Sequence, residues 1–238
     1  MKTKRFYYTL AAVFIYAASF GQTVDEIVDK HVAALGGIDK IKSVNTLVTE
    51  RSLAVNGMEI PTKTTVVIGK SLRNESTVMG NSMIQVVDDS KGWMIRPTQM
   101  GGTGEPEDMP ADLLKQQMGT LDPFGGLVDY KEKGNKVELV GKEKLDKQDV
   151  YHMKVTTKDG TSYDEYLDGN TYLVSKVRMV MNGQEGEIEF SDYKETDGIK
   201  FPNSMDISNT QMGTITFITN KIAINTPVDN SIFKKPVK

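Results

Sequence analysis

The feature that most constrains this chain is the shortness of the links between its alternating apolar runs. Asn56-Gly57, Asp159-Gly160, Asp168-Gly169-Asn170 and Asn182-Gly183 are hairpin signals of two or three residues. Links this short hold no crossover helix, so neighbouring strands must run antiparallel. Strand-like runs cover residues 46–55, 58–69, 71–79, 82–88, 92–96, 136–141, 150–157, 161–168, 171–181, 185–193, 203–209 and 213–225. The expected sheet is a meander. In its first run Thr46, Val48, Glu50, Ser52 and Ala54 share one side, and Leu47, Thr49, Arg51, Leu53 and Val55 share the other. Neither side is purely apolar, which suits a curved antiparallel sheet better than a buried parallel one.

Two segments change period. Val24, Ile27, Val28, His31, Val32 and Leu35 recur at helical spacing, with Thr23 and Glu26 in capping-box positions and Gly36-Gly37 as the stop. Residues 38–43 add a short turn of helix carrying Ile38 and Ile41. The second segment, "MPADLLKQQMGTL", places Pro110 near its first position and Leu113, Leu114, Gln117, Met118 and Leu121 on one side; Asp122-Pro123 ends it. Between strands and helix, "TQMGGTGEPEDMP" (98–110) reads as a mobile loop. A long antiparallel sheet does not leave one apolar face bare. It is expected to curl and to lay both helices across its concave side, enclosing a chamber.

The amino terminus has the layout of a cleavable signal peptide, residues 1–22: Lys2, Lys4 and Arg5 precede an apolar stretch over 6–18, and the cut is expected around Gly21 or Gln22. Residues 23–238 then form a single exported domain, expected as a monomer without stable membrane insertion. Loss of the leader moves the formal charge from −3 to −6, which argues against nucleic-acid partners. The absence of cysteine excludes disulfides, thiolate chemistry and a cysteine-linked lipid anchor.

Chemistry-bearing motifs are sparse. His31 falls on or beside the first apolar stripe, where it reads as a core or rim residue, and His152 sits in the strand-like "VYHMKV". No zinc-protease, nucleophile-elbow or phosphate-loop pattern occurs. Asp88, Asp89, Asp164, Glu165 and Asp168 are candidate cation ligands by type, yet their places beside turns give a plainer account through local backbone hydrogen bonds. The expectation is no catalytic residue, no metal and no cofactor. Methionine is the informative excess, 13 in all. Its flexible thioether fills irregular space and tolerates guests of varying shape. Met100, Met109 and Met118 cluster in the loop and helix expected to close the chamber. Trp93, the sole tryptophan, serves equally as a core residue or as a chamber wall.

Several segments carry a family resemblance. "VVDDSKGWMIRP" resembles the aspartate-turn, glycine, aromatic and proline segment of periplasmic lipoprotein carriers of the LolA type. "VDEIVDKHVAALGGIDKIKSVNTL", "DEYLDGNTYLVSKVRM", "FSDYKETDGIKFPNSMDI" and "INTPVDNSIFKKP" look like LolA-like outer membrane lipoprotein-sorting proteins of the Bacteroidota type. The resemblance implies a mainly β fold: a curved, unclosed antiparallel half-barrel, LolA/LolB-like, with covering α-helices over an apolar cavity. It implies a soluble periplasmic carrier of lipoproteins or other acylated cargo, passed from an inner-membrane transporter to an outer-membrane receptor. The alternative is a non-catalytic envelope protein using the half-barrel for protein contacts or as an accessory sensor. The resemblance offers Trp93, Met94 and Ile95 as cavity wall, completed from the lid side by Met109, Leu113, Leu114, Met118 and Leu121 and from the first helix by Val28 and Val32. Where the carriers have an arginine that latches the lid, "VIGKSLRNES" places Lys70, with Arg73 nearby. Lysine lacks the planar fork of arginine, so it reproduces such a latch imperfectly.

Overall fold

A computed structural model describes residues 22–236 apart from 56–57, 79, 182 and 210–212. The expected leader up to Gly21, the Asn56-Gly57 turn, Asn182, Met79 and Met212 therefore lie outside the described residues. Two meanders make one sheet. The first runs through β1 (Thr46–Val55), β2 (Met58–Val67), β3 (Ser71–Val78), β4 (Asn81–Asp88), β5 (Lys91–Ile95) and the short β6 (Glu107–Asp108). The second runs through β7 (Lys136–Leu145), β8 (Gln148–Thr156), β9 (Ser162–Asp168), β10 (Val174–Met181), β11 (Gln184–Thr196), β12 (Ile199–Asn209) and β13 (Gly213–Ile224). β1 pairs with β13, joining the meanders into a 13-stranded antiparallel sheet in the order β6-β5-β4-β3-β2-β1-β13-β12-β11-β10-β9-β8-β7. Its neighbours are antiparallel, as the turn chemistry predicts, and its ends β6 and β7 do not meet, so the half-barrel is unclosed, as the family resemblance implies.

Among the described residues four α-helices accompany it: α1 (Val24–Leu35), α2 (Ile38–Lys42), α3 (Ala111–Gly119) and α4 (Tyr130–Lys133). They define an inner face. α1 lies against β7 and β12, α3 against β4, and α4 against β7. Under α3 the core comprises Leu47, Val66, Leu72, Val87, Leu121 and Phe201; under α1 it comprises Ile27, Val28, Leu127, Tyr151, Met153, Val155 and Leu167.

The structure corrects the reading of 98–110 as a mobile loop. A 3-10 turn at Thr98–Met100 and the strand β6 are tied back to β5 by an Arg96–Glu107 ion pair of 2.7 Å and by Gly104 N–H to Arg96 O at 3.0 Å. The carboxyl-terminal tail is also ordered. Its 3-10 turn, Asn230–Phe233, lies on the outer face against β3 and β4.

Candidate functional site

α1 is held by its ends and by its buried stripe. The Thr23–Glu26 capping box forms at its start, and Gly36 at its end adopts φ 130° with a Cβ position only 2.2 Å from Gly198 O in the β11–β12 turn. A side chain there would collide with backbone, so glycine lets helix and turn meet. His31 is buried in the stripe and its Nδ1 lies 2.8 Å from Tyr172 O. Desolvation holds its basicity below the usual imidazole range.

α3 sits differently. None of its residues is fully buried, and its attachment is narrow. Gly92 leaves room for it, since a Cβ there would stand 2.9 Å from Leu114 Cδ1 and 3.1 Å from Met109 Sδ. Gln117 then bridges two cross-strand neighbours: its Oε1 accepts from Asn74 Nδ2 at 3.1 Å, and its Nε2 donates to Gln85 Oε1 at 3.2 Å. Gly69 N–H donates to Leu121 O at 3.0 Å just beyond the helix.

The residues expected as one wall fall in three places. Met94, Met109, Leu114 and Leu121 lie on the inner face around Gly92 and the core beneath α3, with Leu113 half-buried on the same helix. Met118 is 41% exposed and Met100 50% exposed, so a methionine lid closing over the sheet is not formed by those two. Val28 and Val32 belong to the α1 core and line a groove of about 630 Å³ between α1 and α4. Trp93 and Ile95 point the other way. Period two along β5 places them on the outer face with Val86 and Phe233, so Trp93, Met94 and Ile95 do not make a single wall. Trp93 Nε1 donates to Phe233 O at 2.8 Å, which satisfies its one polar group in a dry core.

The expected latch is likewise relocated. Arg73 Nη1 donates to Ile232 O at 2.8 Å, its Nη2 reaches Glu75 at 2.6 Å, and the guanidinium lies over Trp93 at 5.8 Å. It clamps the tail on the outer face, while Lys70 is exposed in the β2–β3 turn. Gln117 holds the helix instead.

What the sequence reading missed is a second stretch of inner face. Ile60 pairs with Leu53, Leu53 with Phe217, Phe217 with Met205 and Met205 with Phe190, giving one apolar row across β2, β1, β13, β12 and β11. A second row runs Ile215, Ile207, Ile188, Val177. Apart from the buried Val177 these residues are only partly buried, and none belongs to the clusters packed under the helices. This is an open apolar trough. The alternation in "EGEIEFSD" and "GTITFIT" was the signal for it, but only the register lines the strands up.

Polar groups border the trough. Arg51 occupies the next position on β1 toward α3, opposite Thr62 and Thr219. At the other helix-covered end Glu165 is fully enclosed, and burial raises its carboxyl to about 7 despite the charge of Lys133 and a hydrogen bond with Tyr163. The outer face holds a cross-strand charge network. His152 there lies 2.8 Å from Asp164 and 3.3 Å from Glu143, stacked on Tyr166, beside Arg178–Glu187 and Lys176–Glu189 pairs. Among the described residues no three His, Asp or Glu side chains group as metal ligands, and no helix is long and apolar enough to cross a membrane.

A family model described as "uncharacterized protein" matches residues 73–237. The chain belongs to that family. No curated protein matches it in sequence. Solved structures give the family member its fold class. A DUF1329 family protein of Desulfovibrio piger superposes with a TM-score of 0.60 at 15% identity, covering 89% of this chain and 97% of its own. A LolA superfamily protein of Nitrosomonas europaea gives 0.59 at 12% identity, covering 90% and 99%. A domain described as belonging to an outer membrane lipoprotein-sorting protein of Vibrio parahaemolyticus gives 0.56 at 15% identity, covering 90% and 98%. The fold is thus LolA-like, as the sequence resemblance implies.

Proposed function

We propose that this family member is an exported, monomeric carrier or binding protein of the periplasm, residues 23–238 after loss of the leader, that takes up acyl chains of lipoproteins or other lipids. The observation that carries the reading is the row Ile60, Leu53, Phe217, Met205 and Phe190, an apolar strip on the inner face that, among the described residues, belongs to none of the clusters packed under the helices. At the ordinary spacing of about 4.8 Å between strands, the row spans roughly 19 Å. That is the length of an extended long-chain acyl group. Each methylene buried there contributes about 0.8 kcal/mol, enough for binding that is firm yet reversible. α3, held by Gln117 and a few apolar contacts, is the element that adjusts to the guest, so Met94, Met109, Leu113, Leu114 and Leu121 act as the lid-side end of the site, with Met118 on the outside of the helix. Val28 and Val32 act as packing for α1. The described fold relative from Vibrio parahaemolyticus, named for lipoprotein sorting, supports cargo of this class. A transporter that loads the protein and an outer-membrane receptor that unloads it complete the proposal. No bond is made or broken: the protein binds and releases.

The envelope-interaction alternative expects Trp93, Leu114 and Met118 together in a dry core. Trp93 does lie in a dry core, under Phe233, but on the face opposite Leu114, and Met118 is exposed, so the three do not close one core together. Native mass spectrometry of protein purified from an exported preparation, with organic extraction of anything bound, decides between them. A lipid or acylated peptide of defined mass supports the carrier. A bare mass that is unchanged after incubation with an acylated peptide removes it.

A further inference from the structure

The inner face carries one cation in an unusual position. On β1, Arg51 is flanked on its own face by Thr49 and Leu53, opposed by Thr62 and Thr219, and met diagonally by Ile60, Thr64, Phe217 and Ile222. None of these is acidic. Among the described residues its side chain makes one hydrogen bond, Nε to Thr219 Oγ1 at 3.4 Å, and the Thr219 hydroxyl itself donates to Pro202 O at 3.3 Å. An arginine has five N–H donors and does not lose its charge in proteins. Among the described residues the four donors on its two Nη atoms have no acceptor. Burial lowers its basicity, and among the described residues no carboxylate on its face opposes that. A largely buried cation without a counter-charge is costly. Every other well-enclosed cation on the sheet is matched: Lys176 has Glu187 and Glu189, and Arg73 has Glu75 and the tail carbonyl.

Position gives this charge its meaning. Arg51 lies one same-face step along β1 from Leu53, the second residue of the apolar row from its β2 end, so a chain whose end lies over Ile60, Leu53 and Phe217 brings whatever it is attached to within reach of the guanidinium. Threonine hydroxyls at 49, 62, 64 and 219 surround it, a polar collar between the apolar trough and the core under α3.

We infer that Arg51 is the head-group anchor of the trough and that the occupant is an acyl chain bearing an anionic head, a carboxylate or a phosphate, held by the fork of the guanidinium. This rests on the acyl-binding reading and adds to it the charge of the ligand. Arginine suits the role because both head groups accept two parallel N–H bonds in its plane.

The test uses displacement of the uncharged dye Nile red by dodecanoate, dodecyl phosphate and dodecanol, on wild type, Arg51→Met and Arg51→Lys. Wild type is expected to bind the two anions roughly tenfold to a hundredfold tighter than the alcohol, the range of a charge-assisted hydrogen bond. Arg51→Met should bind all three alike, keeping the alcohol's wild-type affinity as proof of an intact trough, and Arg51→Lys should fall between. The tighter of the two anions names the head. If wild type takes all three chains equally, or Arg51→Met keeps the preference, the anchor is overturned while the trough stands. If no chain displaces the dye from wild type, the acyl-binding reading and the anchor fall together.

Discussion

Trp93 and Met94 are neighbours in sequence and lie on opposite faces of the sheet, the indole sealed under the carboxyl-terminal tail and the thioether under α3. The difference follows from β5 being a regular strand, in which successive side chains alternate. It separates two jobs. The outer-face cluster of Val86, Trp93 and Phe233 fastens the tail, with Lys234–Asp88 at 2.6 Å and Lys235–Asp108 at 2.8 Å as its charged rivets. The inner face carries the apolar row proposed to take the guest.

Phe233 is almost wholly enclosed, so Phe233→Ala opens a cavity beside the indole and is expected to cost about 3–5 kcal/mol, with water reaching Trp93. Because Trp93 is the only tryptophan, its emission reports this directly: the maximum should move to longer wavelength while acyl-chain binding is unchanged. An unmoved spectrum would show that the tail does not cover the indole.

Gln117 is the polar attachment of α3, and Gln117→Ala removes both of its hydrogen bonds to Asn74 and Gln85. At about 1 kcal/mol per bond the helix, with no fully buried residue of its own, should open far more often. Hydrogen exchange over Ala111–Gly119 is expected to quicken by at least tenfold, with β7 to β13 unaffected. Equal exchange in both proteins would place the attachment elsewhere.

The parts legible in the sequence were those set locally. The capping box at Thr23, the glycine stop of α1, the antiparallel order implied by tight turns and most strand centres all follow from neighbours in the chain. β6 was missed because two residues show no period, and α4 because four residues, "YKEK", show no stripe. The trough was missed for a different reason. Leu53, Phe190, Met205 and Phe217 come from strands far apart in sequence, and only the pairing of β1 with β13 lays them side by side. Arg51 looked like one more residue of a mixed face until the register surrounded it with threonines. Similarly, the partners of His152 come from Asp164 on β9 and Glu143 on β7, which no spacing announces.

Phe217 and Ile218 provide a matched test of the trough. Phe217 faces Leu53 and Met205 on the inner side, whereas Ile218, 37% exposed, pairs with Ser52 and Ser204 on the outer side. Phe217→Asp puts a charge where the chain would lie and should weaken acyl binding by roughly tenfold or more, given the cost of burying a carboxylate against hydrocarbon. Ile218→Asp, the same change one residue on, should leave binding as it was. Calorimetric titration of both, with circular dichroism as a check on the sheet, gives the comparison. Equal losses, or none in either, would count against the inner row.

Glu165 makes stability depend on pH in a predictable direction. Its carboxyl, ordinarily near 4.5, is raised by burial to about 7, so between those values the folded chain holds a proton that the unfolded chain has released. Stability from this group is complete below about 4.5 and lost as pH rises through about 7, on the order of 3 kcal/mol in all. Glu165→Gln keeps a neutral group of the same shape beside Tyr163 and has no proton to lose. Urea unfolding midpoints of the two proteins should therefore coincide below about pH 4.5, separate progressively as the pH rises to about 7 and stay a constant distance apart above it, with the glutamine variant the more stable. Parallel curves over the whole range would mean that Glu165 reaches water when it ionises, and that the floor of the half-barrel at β9 opens more readily than its packing implies.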